Sequence, residues 1–157
     1  MQLANKTPLT LRGTAASLLE KKGCAIHAIG PQDTVFDAIS RMTDKRAGAL
    51  LVMDDGRLLG VISERDYTRK VILQGLASKE TRVEQIMSAP PISIAVTATL
   101  SECMQVMTAR GIRHLPVLDG NTVAGVLSIG DLVRAVVEQQ AETIDQLNAF
   151  VSADYPN

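Results

Sequence analysis

The chain repeats itself, and this duplication constrains the fold more than any other feature of the sequence. Residues 29–69 align with residues 94–134 at a constant offset of 65 positions and without a gap. The residues that the two copies share include Ile29 and Ile94, Thr34 and Thr99, Val52 and Val117, Asp54 and Asp119, Gly60 and Gly125, Ser63 and Ser128, Asp66 and Asp131, and Arg69 and Arg134. An internal repeat of this kind indicates two copies of one supersecondary unit.

Each copy has the pattern of a β-α-β-β-α unit. In the first copy, Ala25–Ile29 is a short apolar strand, and Thr34 stands before a segment with apolar residues at helical spacing. Ala49–Met53 and Leu58–Ser63 are apolar runs on either side of an Asp-Asp-Gly turn, and a helix follows them. Strands of the second copy are predicted over 92–96, 115–118 and 123–128. We therefore predict an α/β (α+β) fold in which two motifs pack together as one domain.

Composition narrows the classes of function. The 157 residues are 46% apolar and 21% charged, which excludes disorder for most of the chain. A net charge of −1 and an aromatic content of 3% argue against a nucleic-acid partner. No apolar run is long enough to span a membrane. The sequence has no nucleophile–base pair, no metal-ligand spacing and no P-loop, so an enzyme is not expected.

The cysteines and the N-terminus bear on the cellular compartment. Cys24 and Cys103 are far apart and form no C-x-x-C pair, so a reducing compartment is expected. The N-terminus lacks the apolar segment of a secretory signal. We predict a cytoplasmic location, with a mitochondrial one as the alternative. Cys103 lies on an apolar helix face and is predicted to be buried and inert.

Extensions flank the two copies. Residues 1–13 are polar and expected to be loosely held, whereas Ala15–Lys21 is predicted to form a short amphipathic helix. The predicted boundaries are an N-terminal extension over 1–24, a first motif over 25–82, a second motif over 83–138 and a C-terminal extension over 139–157.

The last helix is predicted to continue past Arg134 to about Val151. Its residues alternate spacings of four and three, which is typical of a heptad seam. The members of this C-terminal seam are Val133, Val137, Gln140, Ile144, Leu147 and Val151. The seam either packs back on the domain or pairs with another subunit.

Both copies contain Gly-Val-[Ile/Leu]-Ser-x-x-Asp, and this segment has two interpretations. Ser63 and Asp66, like Ser128 and Asp131, have the spacing of a capping box that satisfies free amides at a helix start. The same groups could bind a nucleotide, because a helix N-terminus favours phosphate and an Asp one turn later can accept hydrogen bonds from a ribose diol. The spacing alone leaves both interpretations open.

These residues carry a resemblance to a known family. The segments IRHLPVLDG (112–120) and VAGVLSIGDLV (123–133), together with GALLVMDDGRLLGVISERDY (48–67), resemble cystathionine-β-synthase (CBS) domains. The resemblance covers about residues 25–135 and suggests a stand-alone, Bateman-type tandem pair, similar to small bacterial and plant-organelle proteins. It implies two motifs related by a pseudo-two-fold axis, with two clefts between them. It also makes a plastid a further possible location.

The resemblance implies where an adenosine ligand such as AMP, ADP, ATP, NAD(H) or S-adenosylmethionine would bind. Asp66 and Asp131 would hold ribose hydroxyls, and Ser63 and Ser128 would touch phosphate. The other implied contacts are Gly48, Ala49, Arg113 and His114 at the adenine pockets, Thr34 and Thr99 near the cleft mouths, and Arg65 and Pro116.

Differences in charge between the copies predict unequal clefts. Gly48-Ala49 in the first copy corresponds to Arg113-His114 in the second. The resemblance implies that Arg113 and His114 approach the phosphates of a ligand held near Asp66, so we expect that cleft to take the more phosphorylated ligand. The alternative is a solvated Arg113 and a structural His114. The set Arg65, Arg69 and Lys70 is most simply a solvated helix face, and His27 has no assigned role.

Two functions follow. The first is a non-catalytic regulatory module that binds adenine nucleotides and signals to a partner, and the resemblance implies association of two chains into a four-motif disc. The alternative is a ligand-independent interaction module that docks on an enzyme or a thioredoxin-like partner through the C-terminal helix.

Overall fold

The computed structural model describes residues 11–154. Residues 1–10 of the polar N-terminal segment and residues 155–157 of the C-terminal extension lie outside them. After α1 (Ala15–Lys22), the first motif contains β1 (Ala28–Ile29), α2 (Val35–Lys45), β2 (Ala49–Asp54), β3 (Arg57–Ser63) and α3 (Glu64–Tyr67), which continues as a π-helical turn over Thr68–Ile72. The second contains α4 (Val83–Ile86), β4 (Ile94–Ala95), α5 (Leu100–Arg110), β5 (His114–Asp119), β6 (Thr122–Ser128) and α6 (Ile129–Asp154).

The two motifs have the same sheet topology at the predicted offset. Each forms a three-stranded sheet in which a short strand runs parallel to the first strand of an antiparallel hairpin. Ala49 pairs with Ser63 in one hairpin, and His114 pairs with Ser128 in the other. Both hairpins shift register at equivalent positions. The predicted α+β architecture of two equivalent motifs is confirmed.

The long helix of each motif begins at a threonine cap. The side chains of Thr34 and Thr99 accept a hydrogen bond from the amide three residues later, and that residue, Asp37 or Glu102, accepts one in return. This capping box satisfies amides that the first helical turn cannot pair. The buried faces again match at the offset of 65: Val35, Ala38 and Met42 in α2, and Leu100, Cys103 and Met107 in α5.

The short helices α1 and α4, which stand just before β1 and β4, each pack into the core of the other motif. Leu18 and Leu19 of α1 are buried with the residues of the second motif. Val83 and Ile86 of α4 are buried with those of the first. Each motif therefore receives its last core helix from the segment that precedes the other motif, so the two motifs stabilise each other.

Three local expectations differ from the structure. The strands predicted over 25–29 and 92–96 are only two residues long, at Ala28–Ile29 and Ile94–Ala95. Of the segment expected to be loosely held, Leu11 is buried in the core, and the Arg12 backbone exchanges hydrogen bonds with Gln139. Leu11 and Arg12 are therefore held against the second motif, whereas residues 1–10 of the segment lie outside the described residues.

The C-terminal seam does not pack back on the described part of the chain. Val133 is 51% exposed, Val137 61%, Ile144 57% and Leu147 59%. Leu132 and Ala135, on another face of α6, are buried instead. The first turns of α6 therefore join the second core, and its remainder projects with an exposed apolar stripe.

Candidate functional site

A cavity of about 400 Å³ lies between the two motifs. Residues from β3 and α3 of the first motif form one wall, and residues from the segment between α5 and β5 and from the start of β5 in the second form another. The predicted site residues that line it are Gly48, Ser63, Arg65, Asp66, Arg113 and His114. The fold thus brings together six residues that are up to 66 positions apart in the sequence.

Ser63 and Asp66 form the capping box that their spacing predicts. The amide and the hydroxyl of Ser63 both donate to Asp66 Oδ2, at 2.9 Å each. The amide of Asp66 donates to the Ser63 hydroxyl oxygen at 3.2 Å. The capping interpretation is therefore confirmed. Because the cap uses only Oδ2, it leaves Oδ1 of Asp66 for other partners.

The second oxygen of Asp66 is held by two side chains. Ser88 donates its hydroxyl proton to Oδ1 at 3.2 Å. The Lys70 ammonium lies 3.0 Å from the same oxygen and also donates to the backbone carbonyl oxygen of Ile86. The Asp66 carboxylate is buried, yet it lines the cavity. It is therefore a fixed acceptor on the cavity wall.

Basic side chains dominate the cavity wall. Arg65, Arg69, Lys70 and Arg113 line it, against the two acidic side chains of Glu64 and Asp66. Arg65 crosses to the second motif, where its guanidinium donates to the carbonyl oxygen of Gly111 at 2.8 Å. A basic wall beside a carboxylate suits a ligand that carries both phosphate and hydroxyl groups.

The sequence did not predict Arg69, Lys70 or Ser88 as site residues. Arg69 and Lys70 were expected on a solvated helix face; Arg69 is exposed there, Lys70 is partly exposed and pairs with Asp66, and both also line the cavity. Their spacing of three and four from Asp66 places them on the same helix face, which is a signal in the sequence. Ser88 has no such signal, because it comes from the segment after α4.

His114 packs closely against Gly48. A Cβ atom at Gly48 would lie 3.2 Å from Cε1 of the His114 ring. Burial lowers the pKa of His114, against the opposing effect of the charges on Glu64 and Asp131. The imidazole therefore prefers its neutral form while it lines the cavity.

A second cavity, of about 340 Å³, lies on the other side of His114. Gly48, Ala49, His114 and Ser128 are the predicted site residues that line it. Its wall also includes Arg46 and His27, the histidine to which the sequence assigned no role. Asp131 is buried and does not line this cavity.

Lys22 of α1 engages Asp131. Its ammonium donates to Asp131 Oδ2 at 2.5 Å and to the carbonyl oxygen of Val126 at 2.6 Å. Burial raises the pKa of Asp131, but the hydrogen bonds from Lys22 and from the Ser128 amide outweigh it, so the pKa is lowered overall. The carboxylate is therefore charged and paired at neutral pH.

Besides Asp131, three predicted site residues line neither cavity. Thr34 and Thr99 act as helix caps and line neither cavity. Pro116 is buried in β5 opposite Val126 and is also absent from both walls. We leave these three out of the site proposed below.

The two cysteines have different environments: Cys24 is exposed and Cys103 is buried. Burial raises the pKa of Cys103 to about 11, so the burial predicted for this thiol is confirmed, and its thiolate is disfavoured. Among residues 11–154, no three His, Cys, Asp or Glu side chains are grouped to hold a metal ion. Over the same range, no helix has the length and hydropathy that a membrane span needs.

The family model of the CBS domain matches residues 15–72 and 83–138. The chain therefore belongs to the CBS domain family, and it carries two of these domains as a CBS pair, a class of regulatory module. The matched ranges include α1 and α4, the two helices that the motifs exchange.

Relatives and solved structures agree with this assignment. The chain is 44% identical to the mitochondrial CBS domain-containing protein CBSX3 of Arabidopsis thaliana, over 78% of this chain and 62% of that protein. A protein with CBS domains from Burkholderia ambifaria has the same fold, with a TM-score of 0.79, 46% identity, and coverage of 82% of this chain and 96% of that one. A CBS domain protein from Pyrobaculum aerophilum, complexed with AMP, superimposes with a TM-score of 0.72 at 24% identity, over 83% of this chain and 99% of that one.

Proposed function

We propose that the cavity at Asp66 binds an adenosine nucleotide and that the chain is a non-catalytic sensor of that ligand. The observation that carries the proposal is the union, in one cavity, of a fixed carboxylate with arginines from both motifs. The AMP complex of the Pyrobaculum aerophilum protein supports the ligand class. We infer no covalent chemistry, because the Ser63 hydroxyl is hydrogen-bonded to a carboxylate that caps a helix.

The proposed ligand would use the cavity from both sides. The ribose hydroxyls would donate to Asp66 Oδ1 and displace the Ser88 hydroxyl, which is held at only 3.2 Å. The phosphates would face Arg65, Arg69 and Arg113, whose guanidinium groups can donate two hydrogen bonds each to phosphate oxygens. The base would lie near Gly48 and Val61. A cavity of about 400 Å³ is within the usual range for small-molecule sites.

Binding across the motif junction would give the ligand a way to signal. Arg65 and Arg113 belong to different motifs, so a phosphate that both contact would change the orientation of one motif relative to the other. We propose that this change is transmitted through a homodimer, in which α6 pairs with a second copy, to a regulated enzyme partner. AMP, ATP and NAD(H) are the candidate ligands.

The cellular location is also a proposal. We propose the cytoplasm, and the mitochondrion or a plastid is the alternative. The mitochondrial relative CBSX3 supports an organelle. Fluorescence imaging of the tagged chain in its own cells would decide between them.

The binding proposal is tested by calorimetric titration with AMP, ADP, ATP, NAD⁺, NADH and S-adenosylmethionine. Asp66→Asn is the variant of choice, because its side chain can still cap α3 while losing the charge. We expect at least one ligand to bind wild type and to bind the variant about tenfold more weakly or worse. Asp131→Asn, at the equivalent position, is the matched control and should keep wild-type affinity. Absence of binding by any of the six ligands would contradict the proposal.

A second candidate function is a ligand-independent interaction module. The exposed apolar stripe of α6 favours it, since a stripe of this length is unusual on a surface without a partner. If the six ligands fail to bind while the chain still associates through α6, this function replaces the first.

A further inference from the structure

The two equivalent aspartates receive their cations from different places. Asp66 meets Lys70, which stands four residues later on the same helix. The second motif has Ala135 at the position equivalent to Lys70, and this alanine is buried in the core. Asp131 instead meets Lys22, the last residue of α1. The nearer of the two cations at Asp131 therefore comes from a segment 109 residues earlier in the chain, while Arg134 lies 3.5 Å away on α6 itself.

Packing of α1 against β6 places the side chain of Lys22 beside Asp131, and we call the space around these two residues the Asp131 cleft. Leu19 lies so close to Gly125 that a Cβ atom there would be 2.7 Å from Cδ2 of the leucine. Lys21, the preceding residue, points outward and pairs with Glu138 on α6. The side chain of Lys22 is only 27% exposed, against 67% for Lys21. The two neighbouring lysines therefore have different environments, one inside the cleft and one at the surface.

The ammonium of Lys22 is held beside the Asp131 carboxylate by two hydrogen bonds. It donates to Asp131 Oδ2 and to the carbonyl oxygen of Val126, so two of its three donors are satisfied inside the cleft. Oδ2 also accepts from the Ser128 amide, and Oδ1 faces Arg134 at 3.5 Å. Asp66 lines the cavity in front of it, whereas Asp131 does not line the second one.

We propose that Lys22 is a built-in occupant of the Asp131 cleft and excludes an adenosine ligand there, so that each chain binds one ligand, at Asp66. The inference rests on the proposed function. A ribose diol offers neutral donors, and putting them in place of the ammonium would separate the buried Asp131 carboxylate from the nearer of its two cations. Removing one member of such a pair is unfavourable, which makes the exchange unfavourable.

The test is the stoichiometry of AMP and NAD⁺ binding, measured by calorimetry. Lys22→Met removes the ammonium and keeps a flexible chain of similar length. Lys21→Met is the matched control, because it removes the neighbouring surface lysine. We expect one ligand per chain for wild type and for Lys21→Met, and two for Lys22→Met. The double variant Lys22→Met/Asp66→Asn should retain one ligand, now bound at Asp131.

The outcomes separate this inference from the proposed function. Two ligands on wild type, one on Lys22→Met, or loss of the ligand in Lys22→Met would each overturn the inference and leave nucleotide binding in place. Binding to Lys22→Met without binding to wild type would support exclusion by Lys22 at Asp131 but reject the ligand at Asp66, and with it the proposed function. Absence of binding in every protein would reject both. If Lys22→Met does not fold, the Asp66→Asn variant decides. Loss of all ligand binding in Asp66→Asn supports a single site at Asp66. One ligand retained by Asp66→Asn at wild-type affinity overturns the inference.

Discussion

At the scale of single residues, the two clefts differ because three positions that hold arginine in one motif hold glycine in the other. The equivalent pairs are Arg46 and Gly111, Gly48 and Arg113, and Arg65 and Gly130. Two of the three arginines line the first cavity, and one lines the second. The small partners matter as well, since Gly48 makes room for His114 and Gly111 accepts a hydrogen bond from Arg65. A duplicated backbone thus carries two chemically different sites.

Gly48→Ala tests the close approach to His114. The added Cβ would lie 3.2 Å from Cε1 and 3.3 Å from Nε2 of the imidazole, so the ring must move. We expect a loss of about 1 kcal/mol in unfolding free energy, measured by chemical denaturation. Gly130→Ala is the control. Its Cβ would meet only the Ser128 oxygen at 3.6 Å, and it should be neutral or slightly stabilising. Equal losses in both variants would contradict this account.

His114 also predicts a pH dependence. Because burial lowers its pKa from the ordinary value of 6.5, the imidazole adds no pH dependence to stability above that pH. As the pH falls below 6.5 toward the folded-state pKa, the unfolded chain binds the proton better and stability is lost. A bound phosphate would favour the imidazolium and raise the pKa.

Proton NMR titration of the His114 ring measures this effect. We expect a midpoint below 6.5 in the free protein and an upward shift when AMP is added. The His27 resonance, assigned with the help of His27→Gln, is the internal control and should respond less to AMP because His27 lines the other cavity. A His114 midpoint at or above 6.5 in the free protein would refute the effect of burial.

At the scale of elements, the exchange of α1 and α4 determines how the motifs pack. Gly60 contacts the segment after α4, and the equivalent Gly125 contacts α1. Val61 also pairs with Ser88 through two backbone hydrogen bonds, of 2.9 and 3.1 Å. The two glycines therefore occupy equivalent places but meet different groups. Gly60 meets a backbone carbonyl that is held by hydrogen bonds, and Gly125 meets a flexible side chain.

This difference predicts unequal effects for the same substitution. In Gly60→Ala, the Cβ would lie 2.7 Å from the carbonyl oxygen of Ser88, which is held in the backbone pairing. In Gly125→Ala, it would lie 2.7 Å from a terminal methyl of Leu19, which can rotate away. We expect Gly60→Ala to lose about 2–3 kcal/mol of unfolding free energy and Gly125→Ala to lose less. Urea denaturation of the two variants gives the comparison, and the reverse order would contradict it.

Most of the helices and strands could be predicted from the sequence, because the duplication places strands, turns and caps at matching positions. The helix predicted over Ala15–Lys21 is present, one residue longer, as α1. A local sequence pattern does not show which element a helix packs against. Neither the packing of α1 and α4 in each other's motif nor the ion pair between Lys22 and Asp131 was therefore predicted. The same limit applies to Ser88, which reaches Asp66 from 22 residues away.

At the scale of the whole molecule, the projecting part of α6 points to association between chains. Its first turns are anchored by burial of Leu132 and Ala135, and Glu138 and Glu142 pair with Lys21 and Arg12. Beyond these contacts the apolar stripe is exposed, and two such stripes would bury each other in a dimer. The sequence predicted the seam, and its exposure within one chain favours the pairing alternative.

Ile144→Lys combined with Leu147→Lys tests association through the C-terminal seam. Two lysines in a buried apolar seam would repel each other and cost desolvation, so we expect the mass by light scattering to fall from that of an oligomer to that of one chain. Gln146→Lys, on the opposite face of α6, is the control for added charge and should keep the wild-type mass. A wild-type protein that is already monomeric would contradict pairing of the seam.

A crystal structure of the protein grown with its tightest ligand from the titrations would show whether the Asp66 cavity holds an adenosine nucleotide between the two motifs. We expect one ligand per chain, with its ribose hydroxyls at Asp66 Oδ1 and its phosphate within reach of Arg65 and Arg113. Ligand density elsewhere, or an empty Asp66 cavity at saturating ligand, would contradict it.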